Sequence, residues 1–448
     1  MNNDTNDISE ENFSFRTLNY LGSKLRLLDF IDGYAHQVTP RGAMVCDLFA
    51  GSGCVSYKLS HHFPVVSCDI QHYASVIARA LLDRPHIAEQ EVDSFISSIN
   101  EDPSICLRED FEPLIEFEEQ AIKSGDAEAL SSIIENGSLE VSIRENRKSI
   151  LTERQLRVDR TLKEHGARGN VAFIARHYGG VYFSYSQAVQ IDMIMSAIRR
   201  LPGGINRDVF IAALLSAASD VADTVGKHFA QPIKTRDGKG KIKSLVKNKA
   251  QKDKTIDLLE LYKKWLAKYI ALPRTDHFHS VMQGDFTTCL GNLPATVATV
   301  YADPPYTREH YSRFYHVLET IALDDAPQIS TTNIRGSSHI SNGIYREGRH
   351  QSPFCIKSQA PAAFDRLFRK IADGNMNLML SYSPYDTTKK THPRVVTIEQ
   401  LCIWAKKFFR AVEIVSAGRF SHNKLNSAAH QLEASDEAEQ LIICTGRR

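Results

Sequence analysis

The sequence predicts an α/β fold with a mostly parallel sheet, interrupted by a large, mainly helical insertion. Three observations carry that prediction. Short apolar runs rich in β-branched residues, "AMVCD" at 43–47 and "PVVSCDI" at 64–70, alternate with helix-patterned stretches, which is the rhythm of βαβ units. Between 88 and 277 that rhythm gives way to helical patterning. It resumes in "SVMQGDF" (280–286), "TVATVYADPP" (296–305), "NLMLSYSP" (377–384) and "EQLIICTG" (439–446). One domain, 15–87 together with 278–448, is therefore expected to be interrupted by the insertion rather than followed by it.

Taken in order, residues 1–14 are acidic and polar and are expected to be a disordered tail, neither a signal nor a transit peptide. "LNYLGSK" (18–24) is an extended piece turning into an apolar helix through Leu27, Leu28 and Ile31. "AMVCDLFAGSGCVSYKLS" (43–60) has the pattern of strand, glycine turn and helix, and the strand at 64–70 leads into helical "ASVIARALL". The insertion opens with an acidic, helix-prone stretch and continues through Arg-rich "IRENRKSILTERQLRVDR". An alanine-rich helix near 209–223 follows, and amphipathic "TIDLLELYKKWLAKYIALP" closes the insertion.

A chain of 448 residues, 42% hydrophobic and 24% charged, has the composition of a soluble globular protein. Its net charge of +1 gives no global field toward nucleic acid, but the charges are unevenly spread. Residues 89–140 hold fifteen acids against Arg108 and Lys123, whereas 226–254 hold ten Lys or Arg against Asp237 and Asp253. One face is thus expected to meet a polyanion. The eight cysteines form no C-x-x-C pair and are expected to be buried, reduced thiols of a cytoplasmic protein, with no metal site. No apolar run approaches the roughly 18 residues that a membrane span needs, so no membrane partner is expected.

"DLFAGSG" (47–53) sets Asp47 at a strand end and Gly51 and Gly53 in the turn before a helix. Glycines there let backbone approach a ligand, and a helix N-terminus favours a negative group. The third glycine of a G-x-G-x-x-G fingerprint is absent, which leaves phosphate binding weakly supported. Asp69 ends the second strand, 22 residues after Asp47, about where a carboxylate grips a ribose diol in such folds. A helix N-cap is the competing structural role. Asp285 repeats the pattern at a third strand end, with Phe286 beside it to stack on a purine; an ordinary turn aspartate is its equal competitor.

In "TVYADPPYTREHYSRFYH" (299–316) an apolar strand runs into Asp303, Pro304, Pro305 and Tyr306. Two adjacent prolines remove backbone donors and fix φ, so the strand must stop there. The exocyclic amine of a nucleobase is a poor nucleophile because its lone pair is delocalised into the ring. The Asp303 carboxylate and the Pro304 carbonyl are two acceptors for its two hydrogens. Tyr306 offers a flat face, worth roughly 1–3 kcal/mol for a stacked base.

Together "LNYLGSK", "DLFAGSG" and "DPPY" resemble the amino-group DNA methyltransferases, specifically the Dam-type adenine-N6 enzymes of the class alpha order. In that family the target-recognition region lies between the glycine motif and DPPY. The resemblance implies a Rossmann-like methyltransferase domain, S-adenosyl-L-methionine as cofactor, and direct methyl transfer to an adenine flipped out of double-stranded DNA. It implies that Tyr20, Gly22 and Lys24 lie near the methionine part of the cofactor. Asp47, Phe49, Gly51 and Gly53 would wall its pocket, Asp69 would hold the ribose, and Asp285 and Phe286 fit its adenine more loosely. Asp303, Pro304, Pro305 and Tyr306 match the catalytic tetrad.

The insertion at 88–277 is longer, and more acidic at its start, than a compact recognition module, and 307–360 is also long and rich in Tyr, Arg and His. Either is a candidate for reading DNA. Base flipping needs phosphate contacts, for which Lys239, Lys241, Lys243 and Lys247 are candidates together with Arg308, Arg313 and Arg346. Tyr311 and Tyr315 are candidates for the base pocket, with helix packing as the competing role, and "SHNKLN" (421–426) is a candidate border of the site. Alternatives are cytosine-N4 or RNA amino methylation, and a catalytically dead nucleic-acid-binding fold. "LNYLGSK" favours the DNA adenine family over ribosomal RNA enzymes, and the intact tetrad argues against a dead fold. A cognate restriction endonuclease is a partner that the resemblance suggests.

Overall fold

Valine-rich strands flanked by helical segments on either side are expected to be covered on both faces. The structure, a computed structural model, describes residues 15–99, 106–166, 171–203, 206–334, 336–383, 394–416 and 439–448. The tail 1–14, Arg335 and the segment 421–426 lie outside the described residues. In chain order the strands are β1 (Met44–Asp47), β2 (Val65–Asp69), β3 (Ser280–Gln283), β4 (Val297–Ala302), β5 (Thr331–Ile334), β6 (Ser337–Ile340), β7 (Asn377–Tyr382), β8 (Phe409–Ser416) and β9 (Gln440–Arg447). Seven of them form one sheet in the order β3-β2-β1-β4-β7-β9-β8, and β5 and β6 make a separate hairpin. The first five strands of the sheet are parallel, while β9 runs antiparallel to both its neighbours.

Alternate residues of each strand serve opposite layers, as a period of two requires. Val45, Val65, Tyr301, Met379 and Ile443 pack under helices Leu28–Val38 and Cys54–Leu59. Cys46, Val66, Val300, Leu378 and Ile442 pack under helices Ala360–Asp373 and Ile398–Ala405. The chain steps outward from β1 through β2 to β3, then returns to the other side of β1 as β4. Such a reversal opens a crevice at the carboxyl edge between the two strands.

Between helix His72–Leu82 and β3 the described residues form helices, including Leu107–Ser124, Tyr185–Arg199 and Arg207–Val221. Asp126, Ser138, Ser184 and Asp257 start four of these helices by accepting a backbone N–H, the usual N-cap device. Phe111, Tyr182, Phe210 and Tyr262 of this region share one apolar core with Tyr73 of the sheet-flanking helix. Phe314, Tyr315, Ile321 and Ile344, from beyond the double proline, join the same core. The helical region and 314–344 are thus packed as one body.

Two expectations need correction. The opposite charges of 89–140 and 226–254 partly satisfy one another. Arg236 meets Glu128 at 2.8 Å and Glu135 at 3.2 Å, and Lys254 is buried against Glu118 at 2.9 Å. Lys227 and Lys249 both turn to Asp253, at 2.8 and 2.6 Å. Four of the ten basic residues are therefore held by the protein's own acids, while Lys239, Lys241 and Lys247 are exposed. Nor are the thiols uniformly buried: Cys106 is exposed and Cys402 half-buried, because Cys106 sits at the start of helix Leu107–Ser124 rather than within a strand. Among the described residues no helix is long and apolar enough to cross a membrane.

Candidate active site

The parallel strands deliver their carboxylates to one edge. Asp47 stands in register with Ser67 on one side and Tyr301 on the other; Asp69 and Asp303 each follow two residues later, beyond those partners. All three line a single cavity of about 270 Å³, shared with Tyr20, Gly22, Lys24, Phe49, Asp285, Phe286, Pro304, Pro305 and Tyr306. The glycine turn and the double-proline turn open into the same space.

Gly51 and Gly53 are not among the lining residues. Gly51 has φ +52°, and a Cβ there would lie 2.5 Å from the Tyr20 hydroxyl. Its missing side chain lets Tyr20 lie across the turn, while its N–H donates to Asp69 Oδ2 at 2.9 Å. Gly53, at φ +73°, lets the turn close on Leu81, whose Cδ1 would stand 2.8 Å from an added Cβ.

The acids differ in their surroundings. Asp47 is buried and accepts from the Ser56 hydroxyl at 2.7 Å through Oδ2, while its Oδ1 has no hydrogen-bond partner. Burial pushes the Asp47 carboxyl up to about 7, against the Ser56 hydrogen bond and with the help of the Asp303 and Asp69 charges. Asp69 accepts backbone N–H groups from Gln71 at 2.8 Å and Gly51 at 2.9 Å. Burial still lifts it to about 6. Asp285 is the N-cap of helix Phe286–Gly291. Hydrogen bonds from the Thr287 and Thr288 hydroxyls, with those residues' N–H groups, hold it down at about 2.

Lys24 is a buried cation of the site. Its ammonium lies 2.7 Å from Asp303 Oδ2 and 3.4 Å from Glu439 Oε1, and it is almost wholly buried. Burial alone would lower its pKa, but Asp303 and then Glu439 outweigh that and raise it well above the usual lysine value. Tyr306 packs on Tyr382 with ring centroids 5.2 Å apart, and the Arg394 guanidinium sits 4.7 Å from its ring centroid. Phe49, Phe286 and Phe354 form an aromatic cluster with centroids 5.1 to 6.3 Å apart.

Sequence reasoning missed Glu439, Phe354, Arg394 and Ser56. Of the two roles open to Tyr315, base pocket or packing, the structure shows packing: its ring is buried, stacks on Tyr20 at 4.8 Å and accepts the Leu21 N–H at 2.7 Å. Tyr315 therefore holds the "LGSK" segment in place. Tyr311 does reach the cavity.

The candidate DNA contacts lie outside the cavity. Lys239, Lys241, Lys247, Arg308 and Arg313 are exposed and Lys243 is half-buried. Lys239 and Lys241 flank a turn that Asp237 closes by accepting their N–H groups at 2.8 and 3.0 Å. Arg346 is a correction: it is buried, with a two-pronged contact to Asp325 at 3.1 and 2.7 Å and a third to Thr320. Its guanidinium is occupied inside the protein.

The family described as D12 class N6 adenine-specific DNA methyltransferase matches residues 20–111 and 262–345, which carry Tyr20, Lys24, the three strand-end acids and the DPPY turn. Over those residues, less than half of its length, the chain is similar to that family. It is 23% identical over 391 residues to modification methylase LlaI of Lactococcus lactis subsp. lactis, covering 87% of this chain and 49% of that protein. To type II methyltransferase M.FokI of Planomicrobium okeanokoites it is 22% identical over 382 residues, 82% of this chain and 44% of that one. To type II methyltransferase M.NlaIII of Neisseria lactamica it is 23% identical over 364 residues, 79% and 80% respectively. The chain thus spans about half the length of the first two relatives.

Proposed function

We propose that this chain is a methyltransferase of the D12 class, transferring a methyl group from S-adenosyl-L-methionine to the N6 amine of an adenine flipped out of double-stranded DNA. One observation carries the proposal: the glycine-turn carboxylates and Asp303-Pro304-Pro305-Tyr306 share one cavity at the strand-order reversal. The lining suits the cofactor. Asp47 Oδ1, buried and without a hydrogen-bond partner, fits a cationic N–H donor, and Asp69 fits a ribose diol. Phe49, Phe286 and Phe354 offer apolar faces to a purine. When bound, S-adenosyl-L-methionine supplies an electrophilic methyl group on a sulfonium.

The rest is done by this chain's own groups. Asp303 and the Pro304 carbonyl accept the two amine hydrogens, which draws the nitrogen lone pair out of conjugation and aims it along the sheet edge. Lys24 gives the Asp303 carboxylate a buried counter-charge at 2.7 Å. Tyr306, backed by Tyr382 and Arg394, presents its ring to the base. We assign the helical region 88–277 together with 307–360 to the DNA-facing part, with Lys239, Lys241, Arg308 and Arg313 on phosphates. A restriction endonuclease reading the same site is the proposed partner, in the cytoplasm.

Transfer of tritium from labelled cofactor to duplex DNA, single-stranded DNA and RNA tests this. Label in adenine of the duplex is expected. Label confined to RNA or to cytosine, or cofactor binding without transfer, would overturn it.

A further inference from the structure

A second set of chemistry-bearing side chains lies at the opposite, amino edge of the parallel strands, away from the cavity just described. Asp32 and His36 are four residues apart in helix Leu28–Val38, so both project from one face of it. His62, in the turn that follows helix Cys54–Leu59, meets them there. His62 Nε2 is 3.5 Å from Asp32 Oδ2, and His36 Nε2 is 4.0 Å from Asp32 Oδ1. One ligand atom from each residue falls within 4.8 Å of the other two.

Asp32 is only 9% exposed, and its Oδ1 is buried with no hydrogen-bond partner. The 4.0 Å approach of His36 is too long to satisfy that oxygen. A buried carboxylate oxygen left in this state costs free energy unless something cationic completes it. The half-exposed His36 ring packs against Phe63, with centroids 4.7 Å apart, and lies 5.1 Å from the His62 ring. Lys58, from the helix before His62, is paired with Asp29 at 2.8 Å rather than with Asp32.

We propose that Asp32, His36 and His62 form a binding site for a divalent transition metal of the zinc type, with water completing the coordination. Two imidazoles and one carboxylate suit zinc, cobalt or nickel far better than magnesium or calcium, which take oxygen ligands. Bond lengths of about 2.0–2.2 Å place tetrahedral ligand atoms roughly 3.3–3.6 Å apart. The His62–Asp32 pair already has that spacing, and His36 needs a small side-chain rotation to reach it. The metal would tie the helix that starts just after Lys24 to the turn leading into β2. It would brace the cavity from behind without entering it.

The test uses the full-length chain, stripped with chelator, then titrated with zinc chloride by calorimetry and with cobalt chloride by visible absorption. One equivalent is expected to bind in the micromolar range, with cobalt d–d bands and no sulfur charge-transfer band. His36→Ala, His62→Ala and Asp32→Asn are each expected to weaken binding at least ~10-fold. Zinc should raise the melting temperature of the wild type but not of His36→Ala. Equal melting of His36→Ala and wild type in chelator shows that the variant folds. Three results would overturn the site: unchanged affinity in all three variants, binding only at millimolar metal, or a sulfur charge-transfer band pointing to the exposed Cys106.

Discussion

Lys24 and Asp303 form a short ion pair, 2.7 Å between Nζ and Oδ2, that joins the N-terminal "LGSK" segment to the double-proline turn. Glu439 stands on the far side of the same ammonium at 3.4 Å and is itself held by the Ser381 hydroxyl at 2.8 Å. One cation thus serves two carboxylates, Glu439 buried and Asp303 partly exposed, and its removal should be felt in folding. Lys24→Met is expected to destabilise the protein by about 3–5 kcal/mol, the range for stranding a buried charge. The double variant Lys24→Met/Glu439→Gln should recover part of that loss. Urea melts of the three proteins decide it; a double variant no more stable than the single would show that charge is not the cause.

The same pair separates the acceptor amine from cofactor binding. Asp303→Ala is expected to lower methyl transfer by three orders of magnitude or more, on the order of 4 kcal/mol in the barrier, while cofactor affinity changes only a few-fold. Asp69→Ala should do the reverse and weaken the cofactor. Equilibrium binding beside single-turnover rates measures both. Matching losses of affinity and rate in Asp303→Ala would remove its assigned role.

Asp47 predicts a pH dependence. Its folded value of about 7 lies above the ordinary carboxylate value of 3.8. Between these pH values the folded state holds the extra proton, so this group's contribution to stability declines as pH rises through the interval and stays low above it. A cationic ligand group beside Asp47 favours the ionised form. Cofactor affinity is therefore expected to rise between pH 6 and 8, by roughly tenfold at most for one such site. Calorimetric titrations at pH 6, 7 and 8 should show this rise in the wild type and a flat profile in Asp47→Asn.

Asp47, Asp69 and Asp303 could be found in the sequence because each ends a parallel strand, and parallel strands put their carboxyl ends on one edge. Glu439 could not be found that way. It precedes β9 rather than ending a strand, and it reaches the same edge only because β9 runs antiparallel to β7. Phe354 and Arg394 arrive from loops whose approach to the cavity depends on long-range packing. Charge runs misled for a related reason: composition counts Arg236 and Lys254 as free cations, whereas folding sets Glu128, Glu135 and Glu118 against them. Asp285, read from the sequence as a cofactor residue or a turn aspartate, caps the helix that follows, bound by Thr287 and Thr288.

Gly51 and Gly42 separate backbone strain from steric conflict. Both have positive φ, +52° and +79°, but nothing lies within 4 Å of a Cβ at Gly42, whereas one at Gly51 would overlap the Tyr20 ring. Gly42→Ala should show strain alone, about 1 kcal/mol. Gly51→Ala should lose more and also push Tyr20 off Tyr315, weakening the cofactor. Thermal melts and cofactor titrations of the two variants make the comparison, and equal effects would mean that Tyr20 yields without consequence.

Salt dependence distinguishes surface cations from structural ones. Neutralising Lys239, Lys241, Arg308 or Arg313 to glutamine should each flatten the slope of log affinity for duplex DNA against log salt by about 1 if that side chain meets a phosphate. These four are exposed, so their melting temperatures should hardly move. Arg346→Gln should behave oppositely. Its buried guanidinium bridges Asp325 and Thr320, and its loss removes those contacts and loosens the joint between helix His316–Leu323 and the strand hairpin that precedes Arg346. Melting should fall while the salt slope stays put. A reduced slope with unchanged melting in Arg346→Gln would return that residue to the DNA surface.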